Sequence, residues 1–194
     1  MKILAATNNA HKISEVSEIL SPLGIEVVSP NSLGISADPE ENGTTFEENA
    51  RIKAQAFLEK AGLPVLADDS GLEVKALDGA PGVHSARYAY GSDMDRVHKL
   101  LNALCEKADR SARFVSVLAL AFPDGRILTA RGECPGIISH KPIGENGFGY
   151  DPVFFVEQYG KTFAELTSKQ KNKISHRGKA FEALKKQLAE FTQL

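Results

Sequence analysis

Several things are scarce in this chain, and each scarcity excludes a class of protein. Cysteine occurs only as Cys105 and Cys134, with no CxxC pair, so a disulfide framework is not expected and a reducing compartment is. Long apolar runs are missing. No stretch approaches the ~18 residues of a membrane span, and the run from Met1 to Ala6 meets polar Thr7, Asn8 and Asn9 too soon to be a signal peptide. The expectation is a cytoplasmic protein without a membrane partner. An excess of one charge is missing too: the formal net charge is -2, which marks no nucleic-acid binder. There is no GxxxxGK[ST] loop, no HExxH or HxxxH zinc spacing, no repeat and no low-complexity segment. His84, His98 and His140 are scattered and read as ordinary histidines.

What is present suits a packed α/β protein. A hydrophobic fraction of 42 % in 194 residues supports a real core and a single domain, with room for two lobes. Residues 2–6 read as a buried strand, about 10–20 as an amphipathic helix, and 25–28 as a second strand, an order that predicts a parallel βαβ unit. Thr45 and Glu48 form a capping box that opens a helix running to about Ala61, ended by Gly62. Residues 64–68 predict a strand that ends in carboxylates, and 72–77 another. Residues 93–107 predict a helix. The stretches 113–122 and 126–138 predict long strands joined at Pro123-Asp124-Gly125, a hairpin turn. Residues 139–151 read as a Gly-rich loop, and Ser175 as the N-cap of a last helix. The fold class is α/β, a two-lobed mixed sheet with flanking helices and a long antiparallel hairpin.

Four clusters carry chemistry-bearing side chains. Thr7, Asn8, Asn9, Ala10, His11 and Lys12 lie between the first strand and the first helix. Backbone N–H groups, a helix dipole and a lysine make a phosphate cradle there; ordinary N-capping by Asn8 or Asn9 is the competing account. Asp68-Asp69-Ser70-Gly71 follows an apolar strand, where ligands of open α/β sheets collect. Two adjacent carboxylates disfavour joint ionisation, and a hard divalent cation would relieve that; a polar turn is the alternative. The loop acids Glu40 and Glu41 could add a ligand. In the third cluster, residues 144–152, three glycines allow close approach of the backbone, Phe148 or Tyr150 could stack on a base, and Asp151 could bond a ring N–H or a sugar hydroxyl. In the fourth, Lys169, Lys171 and Lys173 precede Ser175-His176-Arg177. Cations near a helix N-terminus oppose its dipole, so a base carbonyl or a phosphate would explain them better than the fold does, although a solvated basic loop would also look like this.

Taken in order, TNNAHK, ADDSG, GFGYDP and SHRGKA, with TFEENA (45–50) and GAPGVHSARY (79–88), closely resemble the inosine triphosphatase family, the Ham1/RdgB-like purine nucleoside triphosphate pyrophosphatases. The resemblance implies hydrolysis of ITP, dITP and XTP to the monophosphate and pyrophosphate, a homodimer and a Mg²⁺ requirement. It implies that Thr7 to Lys12 hold the phosphates, that Asp69 is the general base and a metal ligand together with Glu40, and that Ser70 touches substrate. Phe148, Gly149, Tyr150, Asp151, Lys171, His176 and Arg177 would recognise the nucleoside, with His176 and Arg177 donating to the purine 6-oxo group. Two positions depart from the family pattern, Asn8 and Asn146, each where a glycine is usual. Loop length leaves the ligand open between Glu40 and Glu41. The alternatives are a Maf-like pyrophosphatase for modified pyrimidines and a non-catalytic nucleotide-binding regulator.

Overall fold

The first strand is buried because Ile3, Leu4 and Ala5 have no polar alternative, and it sets the frame. In the computed structural model, which describes residues 1–191, β1 (Lys2–Ala5) runs into α1 (Ala10–Leu20) and then β2 (Glu26–Val28). β1 pairs with β2 in parallel, Leu4 opposite Val28. α1 buries Val16 and Leu20. α2 (Phe46–Ala61) starts at the expected Thr45–Glu48 capping box and stops at Gly62. It leads to β3 (Val65–Val74), parallel to β1 with Leu4 opposite Val65. After α3 (Asp93–Ala103) come β4 (Ser111–Ala121) and β5 (Ile127–Ile138), neighbours in the sheet. Their connection is closed by Phe122 N–H to Arg126 O at 2.9 Å, and so short a link joins neighbouring strands only antiparallel. β6 (Phe154–Val156) and β7 (Lys161–Thr162) follow, each antiparallel to the strand before it, then α4 (Ser168–Ile174) and α5 (His176–Phe191). The sheet has seven strands in the order β2-β1-β3-β4-β5-β6-β7.

The chain divides into two compact units. Unit 1 comprises residues 1–69, 116–132 and the described chain from Arg177 onward. Its core gathers Ile3, Val16, Leu20, Leu66, Leu118 and Phe181. Unit 2 comprises Ser70–Val115 and Glu133–His176, with a core that includes Leu72, Leu100, Phe114, Tyr150, Phe154 and Phe163.

Three expectations are corrected. The acidic segment 68–71 does not end a strand; it lies inside the ten residues of β3. The helix expected over 93–107 stops at Ala103. The basic stretch around Lys171 is not a loop but α4, opened by its own capping box of Thr167 and Gln170. No helix of the described residues is long and apolar enough to cross a membrane.

Candidate active site

Neighbouring side chains of an extended strand point to opposite faces, and on β3 the two adjacent acids meet different partners. Asp68 is 8 % exposed. Its Oδ1 accepts from the Ser116 hydroxyl at 2.7 Å. Its Oδ2 takes Lys12 Nζ at 3.0 Å and Arg177 Nη2 and Nε at 3.0 and 3.2 Å. The other arm of Arg177 donates through Nη1 to Glu15 of α1. Burial opposes the charge on Asp68, but Arg177 and Lys12 outweigh it and hold the carboxyl well below the usual carboxylate range. Burial likewise lowers the pKa of Lys12, Asp68 pulls it back up, and Arg177 and Lys53 push it down.

Asp69 lacks that compensation. Its Oδ2 is buried with no hydrogen-bond partner. Its Oδ1 lies 3.9 Å from Lys53 Nζ, which itself sits 3.0 Å from Glu41 Oε1. Burial pushes the Asp69 carboxyl up to about 6 against the pull of Lys53 and Lys12, and Asp68 and Glu41 add to the rise. Thus the two acids do not share one unmet need, as the sequence suggested. Protein cations satisfy Asp68, and Asp69 alone keeps a bare oxygen. Glu41, not Glu40, is the loop acid tied to this group; among the described residues Glu40 makes no such ion pair. Sequence reasoning missed Lys53, Ser116 and Glu15. Nothing local in the sequence marked Lys53, which sits on the helix that the capping box opens.

The segment from Thr7 to Lys12 is a helix cap first. Asn9 Oδ1 accepts the N–H groups of His11 and Lys12 at 3.0 and 3.2 Å, and Thr7 Oγ1 accepts that of Asn9 at 3.1 Å. Asn8 accepts from the Asn31 N–H at 3.3 Å. Ala10 begins α1, His11 is exposed, and Lys12 reaches Asp68. Neither Asn8 nor Asn146 adopts the left-handed backbone, so asparagine replaces glycine at both without strain.

In unit 2 a second ion pair forms the centre. Lys171 Nζ meets Asp151 Oδ2 at 2.7 Å, both side chains nearly wholly buried. The same oxygen accepts the Phe148 N–H at 2.9 Å. Gly147 has φ +75, and a Cβ there would collide with the Asp151 carboxylate, so only glycine lets the loop fold back over the acid. The Gly149 N–H donates to Asp93 at 2.6 Å. Phe148 remains half-buried, with Lys171 Nζ 4.9 Å from its ring centroid. Tyr150 is unavailable for stacking: it belongs to the core, and its hydroxyl donates to Ser85 O at 2.9 Å. His176 is 4 % exposed and stacks on Phe114 at 4.6 Å between centroids. Ser70 is half-buried beside Asp69 in the chain.

Residues 3–187 match the profile of the Ham1 family. The chain is 50 % identical to the dITP/XTP pyrophosphatase of Treponema denticola, covering 93 % of this chain and 94 % of that protein. It is 50 % identical to the dITP/XTP pyrophosphatase of Haemophilus influenzae, covering 96 % and 98 %. Its fold is similar to that of the Staphylococcus aureus Ham1 protein with a TM-score of 0.88 at 43 % identity, over 98 % of this chain and 99 % of that one.

Asp68 offers a test that separates its role from that of Asp69. In Asp68→Asn, Lys12 and Arg177 stay buried with one charge fewer to face. Denaturant unfolding at neutral pH should show a loss of about 3–5 kcal/mol, the range for breaking a buried ion pair. Because the folded carboxyl is held low, its contribution is present above the unfolded pKa of about 3.9 and drains away as pH falls below it. The gap between variant and parent should therefore hold steady at neutral pH and shrink in acid. A gap that stays constant into strong acid would make the loss one of packing instead.

Proposed function

The chain belongs to the Ham1 family, and from that premise and the asymmetry of its two acids we propose that it hydrolyses ITP, dITP and XTP to the monophosphate and pyrophosphate. Its service would be to remove deaminated purines from the nucleotide pool. The observation that carries the proposal is the buried, unpartnered Oδ2 of Asp69, next to an Oδ1 that a lysine–glutamate pair approaches without bonding it. A carboxyl raised to about 6 by burial suits a general base, whose best pKa lies near the working pH.

The donor set also fits a hard cation such as Mg²⁺. Among the described residues no group of three His, Cys, Asp or Glu side chains is arranged to hold a metal ion by itself. Mg²⁺ does not need three, since it is usually held by one or two carboxylates plus phosphate oxygens and water. Asp69 and Glu41 would be those carboxylates. When bound, the ion supplies charge neutralisation on the phosphate oxygens. The remaining work falls to the chain. Lys12, fixed by Asp68 and with its side chain 18 % exposed, would offer its ammonium to the phosphates. Asp69 takes the proton as water attacks the α-phosphorus, and the bond to the pyrophosphate oxygen breaks. Positioning and electrostatics supply most of the rate, as is general for phosphoryl chemistry.

Base selection belongs to unit 2. A 6-oxopurine presents an acceptor at O6 beside a donor at N1, and adenine presents the reverse. The Lys171–Asp151 pair offers a donor beside an acceptor. An ammonium carries three N–H groups and a carboxylate accepts about four bonds, so the pair can hold both itself and a base edge. Phe148 would stack on the ring. Arg177, whose guanidinium is paired with Asp68 and Glu15, is assigned to holding Asp68, and through it Lys12, in place of the base reading expected from the sequence. Homodimerisation, Mg²⁺ dependence and a cytoplasmic place of action are part of the same proposal and are supported by the family resemblance.

Four measurements test it. Hydrolysis of ITP in ¹⁸O water should release pyrophosphate first and label the monophosphate. Asp69→Asn should lower kcat by at least ~10²-fold, the lower range for losing a general base, with circular dichroism unchanged. Early orthophosphate, or near-normal turnover of the variant, would defeat the reading. Lys171→Met should lower kcat/KM for ITP by roughly ten- to a hundredfold, the equivalent of one charged hydrogen bond at about 1.5–3 kcal/mol, and leave the ATP value nearly unchanged. Arg177→Lys should reduce both by one factor. Equal losses on both nucleotides in Lys171→Met would remove that pair from base selection.

A further inference from the structure

Asn49 is fully buried in the first turn of α2, in unit 1. Its Oδ1 accepts the Gly43 N–H at 2.9 Å. That bond fixes the orientation of the amide, because only the carbonyl oxygen can accept from an N–H. The amide nitrogen is then left buried with no hydrogen-bond partner among the described residues. A buried unmet donor costs stability, because it has given up its bond to water and gained none in return. For the core alone, a leucine of similar shape would serve better.

What the side chain does accomplish is to fasten a loop. Gly43 stands two residues after Glu41. Between them the Asn42 N–H closes onto the Glu40 carbonyl at 3.0 Å. On the far side, Glu48 Oε2 accepts the N–H groups of Thr44 and Thr45 at 2.7 and 3.1 Å. The space is closed as well, since a Cβ on Gly43 would lie 2.7 Å from both Asn49 Oδ1 and Glu48 Cβ. Asn49 and Lys53 are four residues apart on α2 and so share a face. Lys53 holds the Glu41 carboxylate, and Asn49 holds the backbone that carries it.

We infer that Asn49 is a positioning residue which, through the Gly43 N–H, sets Glu41 beside Asp69 for the divalent cation. The inference rests on the assignment of Asp69 and Glu41 given under the proposed function. Outer partners of this kind raise metal affinity by restricting where a ligand can go.

The test uses Asn49→Leu, Gly43→Ala and Glu41→Gln in the full-length protein. In Asn49→Leu the melting temperature should stay close to the parent's, because the unmet Nδ2 donor is gone while the Gly43 N–H loses its acceptor. The Gly43 amide should exchange with solvent faster by NMR. The Mg²⁺ concentration for half-maximal ITP hydrolysis should rise about tenfold, the low end for losing an outer partner of a metal ligand. Gly43→Ala breaks the same contact from the loop side and should raise the Mg²⁺ requirement likewise, which keeps the test intact if the leucine variant does not fold. An unchanged requirement in these two variants, with a raised one or lost activity in Glu41→Gln, overturns the role of Asn49 alone. An unchanged requirement in Glu41→Gln overturns the assignment of Glu41 and the inference with it.

Discussion

A carboxylate gripped by a lysine and an arginine in a nearly dry setting is the interaction on which unit 1 depends. Asp68 of β3 ties together α1 through Lys12, β4 through Ser116 and α5 through Arg177. Burying a charge is tolerable only when it is paired and hydrogen-bonded. Here Asp68 and Glu15 face Lys12 and Arg177, two negative charges against two positive. The balance has a chemical consequence. With Asp68 neutralised internally, its neighbour Asp69 is the acid left with an unbonded buried oxygen and only a distant lysine, and burial raises its pKa. Environments that drive two nearby titratable groups apart are how one fold assigns them different work.

Unit 2 repeats the device in another setting. The Asp151–Lys171 pair is as buried as the Asp68 cluster, and the loop over 147–149 is folded onto it by a backbone N–H and by the absence of a Cβ at Gly147. In both units a helix brings the cation and a separate backbone segment brings the acid. The energetic stake is the same in each: removing one partner of a buried pair strands the other.

Much of this was legible in the sequence. The β1–α1–β2 unit, the capping box of α2, the long hairpin and the residue types of all four clusters are local in origin, set by periodicity, caps and turn chemistry. What was not legible was set by contacts between distant segments. Asp68 to Gly71 has the composition of a turn, yet pairing with neighbouring strands keeps it extended, because strand preference is largely decided by context. The cations around Lys171 looked like a loop, since alternating lysines hide a short helix whose start depends on Thr167 and Gln170. Arg177 looked like a donor for a base. Only the fold could reveal that Glu15, 162 positions away in the chain, and Asp68 already occupy its fork. The choice between Glu40 and Glu41 turned on one lysine of α2, which no spacing rule marks.

The central claim is that two adjacent aspartates have been driven to opposite ends of the carboxylate range. Carboxyl-carbon NMR of the metal-free protein, labelled at aspartate and titrated from neutral pH into acid, measures this directly. Asp69 should titrate with a midpoint of about 6, while Asp68 stays ionised until well below the ordinary aspartate value of about 3.9. Two midpoints lying together near that ordinary value would contradict the account.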